Sequence, residues 1–290
     1  MTSGTSDARS AQIQEFLVTG QDAAEAGQWA AAGLAWIEAA KLGSLDGANA
    51  VSRVAAPRIR SLADAGDVDA QALIAWILMD YYAADALPMA IGYAKAAAEA
   101  GHPAGLRTYG FMVQNGMGEE ANEVRAIELY RAAADKGDGY AAFNLAVLAR
   151  SAKVKFTTHD ECIRLLTQAA NSGIVQAGAR LGDELAAIDR DEQALTWLVW
   201  AAERGHDGAM NAASDWYRDG IGTPVDNVQA MRWPLPLTGK LNIDAVHKAH
   251  QLGELMTDEQ IREAGQLSGH PVEAETTVAT LEKARNRKRP

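Results

Sequence analysis

Apolar and small residues recur along this chain at helical spacing, three and four positions apart, in short segments separated by polar turns. Ala141, Leu145, Ala146 and Ala149 line one such face, Ala177, Leu181, Gly182 and Leu185 another, and Ala126, Ile127, Tyr130, Ala133 and Ala134 a third. Residues with this spacing share one side of a helix, so the pattern predicts amphipathic helices that each bury a single stripe. The intervening turns are rich in Gly, Asp and Thr. Asn122, Thr158, Asp189 or Asp191, and Asp226 stand where a side-chain oxygen accepts from the free N–H groups of a helix start.

The segments repeat. Ala39-Ala40 precede Gly43, Ala97-Ala98 precede Gly101, Ala133-Ala134 precede Gly137, Ala169-Ala170 precede Gly173 and Ala201-Ala202 precede Gly205. Gly66 to Gly101 is 35 residues, Gly101 to Gly137 and Gly137 to Gly173 are 36 each, and Gly173 to Gly205 is 32. Each period holds two helices and a turn, and its closing Gly stands where a left-handed C-cap is wanted. One helical hairpin cannot bury its apolar stripe alone, so stability must come from stacking on the next. Ala75, Gly110, Ala146, Gly182 and Ser214, one small residue per unit, mark where helix axes are expected to approach closely.

The stretch from Asp215 to Trp233 resembles a Sel-1-like repeat: an aromatic pair, Gly220 and Gly222, a capping Asp226, then Ala230 and Trp233. Residues 101–137 fit the same template without a gap, with Gly110, Gly116, Gly118, Ala126, Tyr130, Ala133 and Ala134. The two units that follow fit more loosely, one lacking both turn glycines and the other having a shortened turn. This family is similar to tetratricopeptide repeats. The resemblance implies an all-α fold, a right-handed α-α superhelical solenoid of stacked helix-turn-helix repeats, and work as an adaptor.

Four regions are expected. Residues 1–66 read as N-terminal tetratricopeptide-like hairpins, with residues 8–26 and 27–43 as the first pair and Pro57 starting or kinking a helix in a short divergent unit. Residues 67–233 hold about five Sel-1-like repeats. Residues 234–270 read as capping helices: Pro234 and Pro236 stop the preceding helix, and Thr257 to Gln260 form a capping-box pattern. Residues 271–290 end in Lys283, Arg285, Arg287, Lys288 and Arg289 and read as a basic flexible tail.

Composition narrows the function classes. Ala supplies about a fifth of the 290 residues and aromatics only 6%, which suits close helix packing. A single cysteine, Cys162, excludes a disulfide framework and a multi-cysteine zinc site, and its place at the repeat's Ala register makes it a packed thiol. A net charge of -11 argues against nucleic acid as a partner. No apolar run reaches the length of a membrane span, and the expected setting is cytoplasmic. The chain lacks phosphate-loop, zinc-protease, nucleophile-elbow and dinucleotide signatures, so no enzyme activity and no cofactor are expected. The Gly pairs at 116/118 and 220/222 recur with the repeat and read as turns. His102 and His206 follow repeat-ending glycines and read as linkers. His247 and His250 lack a third ligand, so no metal is expected. Trp29, Trp36, Trp197 and Trp233 fall on second-helix registers and read as core.

In tetratricopeptide-type stacks the first helix of each hairpin lines the concave face. Transferring that geometry selects Trp76, Arg107, Phe111, Phe143, Val147, Asp183, Asn211 and Asp215, and neighbouring turns add Asn144, Arg150, Arg180 and Arg218. Aromatic and Arg side chains dominate interface energetics, and Arg107, Arg150 and Arg180 are of the type that pairs bidentately with a carboxylate. The expected function is a non-catalytic scaffold or adaptor that binds a peptide or partner protein on this face. The alternative is a regulatory sensor whose solenoid curvature responds to a ligand or partner. The oligomeric state leaves no sequence signal.

Overall fold

The computed structural model describes residues 3–151, 158–240 and 242–287, with side chains from residue 9 onward except 150 and 151. The described residues are almost entirely helical and include no strand. Two compact units divide the chain, Met1–Val154 and Lys155–Pro290, so the division falls inside the run of repeats.

The first unit contains α1 (Ser3–Glu25), α2 (Trp29–Lys41), α3 (Leu45–Ala50), α4 (Ala56–Asp64), α5 (Val68–Tyr81), α6 (Leu87–Glu99), α7 (Pro103–Asn115), α8 (Glu123–Asp135) and α9 (Gly139–Ser151). The second contains α10 (His159–Asn171), α11 (Val175–Ala186), α12 (Asp191–Glu203), α13 (Asp207–Asp219), α14 (Asn227–Arg232), α15 (Pro234–Thr238), α16 (Ile243–Gly253), α17 (Asp258–Ser268) and α18 (Pro271–Arg287). Within each unit a helix packs chiefly on its neighbours in sequence, as stacked hairpins require.

One local device recurs at the start of the hairpins. Ser44, Asp67, His102, Asp138, His206 and Asn242 accept from the N–H of Gly47, Ala70, Gly105, Ala141, Ala209 and Ala245, each three residues on. That third residue is Gly or Ala every time, and buried, and where it is Gly its α-carbon lies against the Ala pair of the preceding helix. A Cβ on Gly105 would stand 2.5 Å from the Ala97 Cβ, and one on Gly47 would stand 2.9 Å from the backbone nitrogen of Ala40. The Ala39-Ala40 and Ala97-Ala98 pairs are thus each one half of a contact whose other half is the third residue of the next helix. Ala177 holds the same place in α11, but Ile174 before it has no side chain that caps. His102 and His206 are therefore N-caps rather than linkers. For His102 the two contacts assign one tautomer: Nδ1 accepts from Gly105 and Nε2–H donates to Asp69 at 3.0 Å.

The predicted small-residue contacts are all buried. A Cβ on Gly182 would lie 2.7 Å from Leu198 Cγ, and one on Gly110 would lie 3.2 Å from the Tyr130 ring. Asn122, Thr158 and Asp226 cap α8, α10 and α14 as expected. The shortened turn before α12 differs. Arg190 stands at its N-cap without a side-chain cap, while Asp189 takes the left-handed conformation, φ 59°, that glycines take elsewhere. Residues 45–64 also differ from a hairpin. They run as one helical segment in which a π turn, Val51–Ala55, joins α3 to α4, and the Ala56 N–H reaches back five residues to the Val51 carbonyl. Pro57 cannot donate, and the wider turn beside it absorbs the missing bond.

At the far end Pro234 breaks the hydrogen-bond ladder, and α15 starts at once with that Pro at its first position. The Thr257 capping box forms as expected. Residues 271–287 are not a loose tail: α18 buries Ala274, Thr277, Val278 and Leu281 against α16 and α17, closing a core with Met231, Leu235, Leu252, Ile261 and Ala264. The apolar spacing of α18 outweighs the charge at its end. Trp36 and Trp233 are buried as expected, whereas Trp29 and Trp197 are only half-buried.

Candidate partner-binding recess

The first unit carries a recess of about 530 Å³ lined by Glu38, Lys41, Trp76, Met79, Asp80, Arg107, Thr108, Phe111, Tyr140 and Asn144. Three hairpin-opening helices supply most of it. In α5 Trp76 and Asp80 are four residues apart, as are Arg107 and Phe111 in α7 and Tyr140 and Asn144 in α9, so each pair lies on one helix face. The C-terminal turn of α2 adds Glu38 and Lys41. Phe111 and Tyr140 are exposed large hydrophobics, while Thr108 at the base is buried.

Internal contacts hold the polar groups in place. The Trp76 indole N–H donates to Asp80 Oδ2 at 2.5 Å. Lys41 Nζ pairs with Glu38 at 2.7 Å and stands 5.2 Å from the centre of the Trp76 ring. Arg107 Nη1 pairs with Asp138 Oδ2 at 2.5 Å and its guanidinium stands 5.5 Å from the Tyr140 ring centre. Asp138 is only 8% exposed, and its other oxygen caps α9 at Ala141. Arg107 is thus a pin between α7 and α9. Asn144 hydrogen-bonds the hydroxyl of buried Tyr130, which itself donates to Gln114 at 2.9 Å. Burial pushes the Tyr130 phenol well above its ordinary range. Burial also raises the Asp80 carboxyl, against the smaller opposing effects of the Trp76 hydrogen bond and the Lys41 charge.

In the second unit the expected residues form a different arrangement. Lys248 of α16 reaches α13, donating to the Asn211 carbonyl at 3.2 Å and pairing with Asp215 at 2.9 Å. Arg218 pairs with Asp215 at 3.0 Å and donates to both Asp219 oxygens at 2.7 Å, which holds that carboxyl below its usual range. Asp215 and Arg218 are therefore engaged with each other and with Lys248 or Asp219, while Asn211 is engaged through its backbone carbonyl. Arg180 and Asp183 lie exposed on α11. In the first unit Phe143 is half-buried and does not line the recess, and the Arg150 side chain lies outside the described residues.

Two solved structures are similar to this chain over most of its length. One is c5321, a protective antigen of uropathogenic Escherichia coli strains displaying an SLR fold, with TM-score 0.55 and 22% identity over 93% of this chain and 71% of that one. The other is a Sel1 repeat protein from Oxalobacter formigenes, with TM-score 0.56 and 20% identity over 86% of this chain and 96% of that one. The chain has the Sel1-like repeat fold. No family model and no curated protein matches the sequence.

On this Sel1-like frame, sequence reasoning found Trp76, Arg107, Phe111 and Asn144 of the recess and missed the rest. Asp80 carried a usable signal, being one helical turn beyond Trp76. Tyr140 lies at the second position of its helix, outside the register that was transferred. Glu38 and Lys41 come from a second helix, where concave-face geometry does not look. Asp138 and Lys248 bind their partners 31 and 33 residues away, which no local pattern reveals. Among the described residues no cluster of three or more His, Cys, Asp or Glu could hold a metal, and no helix is long and apolar enough to cross a membrane.

Proposed function

We propose that this protein is a non-catalytic interaction scaffold that receives a peptide or partner protein in the recess of its first unit. The observation that carries the reading is the recess itself: exposed Phe111 and Tyr140 stand beside Trp76 on rigid helices, with polar groups already held by internal bonds. Aromatic anchors on a preformed surface bind with little ordering cost. The similar structures are repeat proteins, in keeping with a scaffold role, although fold alone does not specify function. The reading keeps the cytoplasmic setting expected from the sequence.

Replacing Phe111 by Ala tests it. Phe111 is 38% exposed, so the variant should melt close to wild type while losing at least one partner that wild type captures from its native cell. Identical partner sets for a folded variant reject this recess as the binding surface.

A further inference from the structure

We infer that the recess accepts a cationic side chain, Arg or Lys, from its partner, with Asp80 as the counter-charge and the rings of Trp76, Phe111 and Tyr140 as its walls. The inference rests on the reading of the recess as a binding surface and names what enters it.

The charges in and behind the recess do not cancel. Lys41 is paired with Glu38 at 2.7 Å and Arg107 with Asp138 at 2.5 Å, so both cations already have a carboxylate. Asp80 is the third carboxylate, and its hydrogen-bond partner is the neutral Trp76 indole. Counting Asp138 behind the wall, three acids stand against two cations, and Asp80, on the wall itself, is the one whose hydrogen bond goes to a neutral group. An incoming carboxylate would have to displace Glu38 or Asp138 from a close pair, and the second of these also caps a helix. An incoming cation breaks neither pair, and only Lys41, whose charge already acts on Asp80, has to shift to admit it.

The rings favour the same choice. The negative face of an aromatic ring attracts a cation within about 6 Å of its centre, and the protein already uses two of these rings that way: Lys41 lies 5.2 Å from Trp76 and Arg107 5.5 Å from Tyr140. Phe111 and Met79 offer apolar surface for the methylene stem of a long cationic side chain. Lys41 lies beside Asp80 and over Trp76, so it occupies part of the place a guest cation would take. Its side chain is 45% exposed and Glu38 is 46% exposed, so the pair can be displaced toward solvent without burying or unpairing a charge.

Three short peptides alike except at one central position, Arg, its neutral isostere citrulline, or Glu, flanked by Leu and capped at both ends, serve as probes. Binding to the full chain is followed through the Trp76 indole N–H cross-peak, at about 0.15 M salt so that the overall negative charge is screened. The Arg peptide should bind about tenfold tighter than the citrulline peptide, and Asp80→Asn should erase that difference. Lys41→Gln should strengthen binding of the Arg peptide, whereas a carboxylate-binding recess would lose affinity on the same change. Equal binding of the Arg and citrulline peptides, or preference for the Glu peptide, overturns the cationic occupant and leaves the recess as a binding surface. No response to any peptide overturns both.

Discussion

At the scale of single residues, imidazole caps and one costly carboxylate make the sharpest predictions. His206 accepts from Ala209 at 3.0 Å through Nδ1, so His206→Ala should cost about 1 kcal/mol, whereas His206→Asn, which keeps a capping acceptor, should cost much less. Urea unfolding of the two variants distinguishes a cap from a linker, since a linker would show equal and small effects. Asp80 is held above its ordinary value of 3.8, so its ionised form is disfavoured in the folded chain. A group raised in this way favours folding below its unfolded value, and that advantage is lost as the pH rises through the folded value. Asp80→Asn, which keeps an acceptor for the Trp76 indole, should therefore melt higher than wild type at pH 7, with the gap narrowing as the pH falls toward 3.8. A gap that widened with falling pH would mean that the carboxylate is stabilising. A binding site commonly keeps such a group for the sake of its ligand.

At the scale of helices, the repeat is a rule about size. Ala favours a helix interior over Gly by about 1 kcal/mol, so an exposed Gly-to-Ala change stabilises. Gly182→Ala should do the opposite, because its Cβ would come within 2.7 Å of Leu198 Cγ and 3.2 Å of the Ala194 carbonyl. Overpacking of this kind costs about 1–3 kcal/mol. Gly110→Ala should cost less, since its nearest contact is a Tyr130 ring at 3.2 Å that can shift slightly, and Gly110→Leu should cost the full range. Chemical denaturation of the three variants gives the order directly, and a stabilised Gly182→Ala would misplace the contact register. The hairpins were legible because this size rule repeats in the sequence. The π turn before Pro57 and the left-handed Asp189 were not, because each answers a local fault in the pattern, a missing donor and a shortened turn.

At the scale of the molecule, the C-terminal helix decides how the second unit ends. A stack leaves its last apolar face bare unless a final element covers it, and α18 does so with Val278 and Leu281. Deleting residues 271–290 should uncover Leu252, Ile261 and Ala264 and cost about 3–6 kcal/mol for the lost burial of Val278 and Leu281 alone. A thermal melt unchanged by the deletion would restore the loose-tail reading. The charges of the first-helix stripe are also settled at this scale: in the second unit Lys248 engages Asn211 and Asp215, and in the first unit Asp138 engages Arg107.

The amino-acid order by itself determined the all-α class, the period of the hairpins, the positions that must be small and the caps at Asn122, Thr158, Asp226 and Thr257. Each of these depends on interactions within one helix or between helices adjacent in sequence, and such interactions leave a spacing behind. Only the tertiary structure decided that Arg107 is a pin, that Lys41, Asp80 and Tyr140 complete the recess, and that α18 is core. Those outcomes depend on which side chains meet across hairpins more than thirty residues apart, where the angle between helices selects the contact and no periodicity records it.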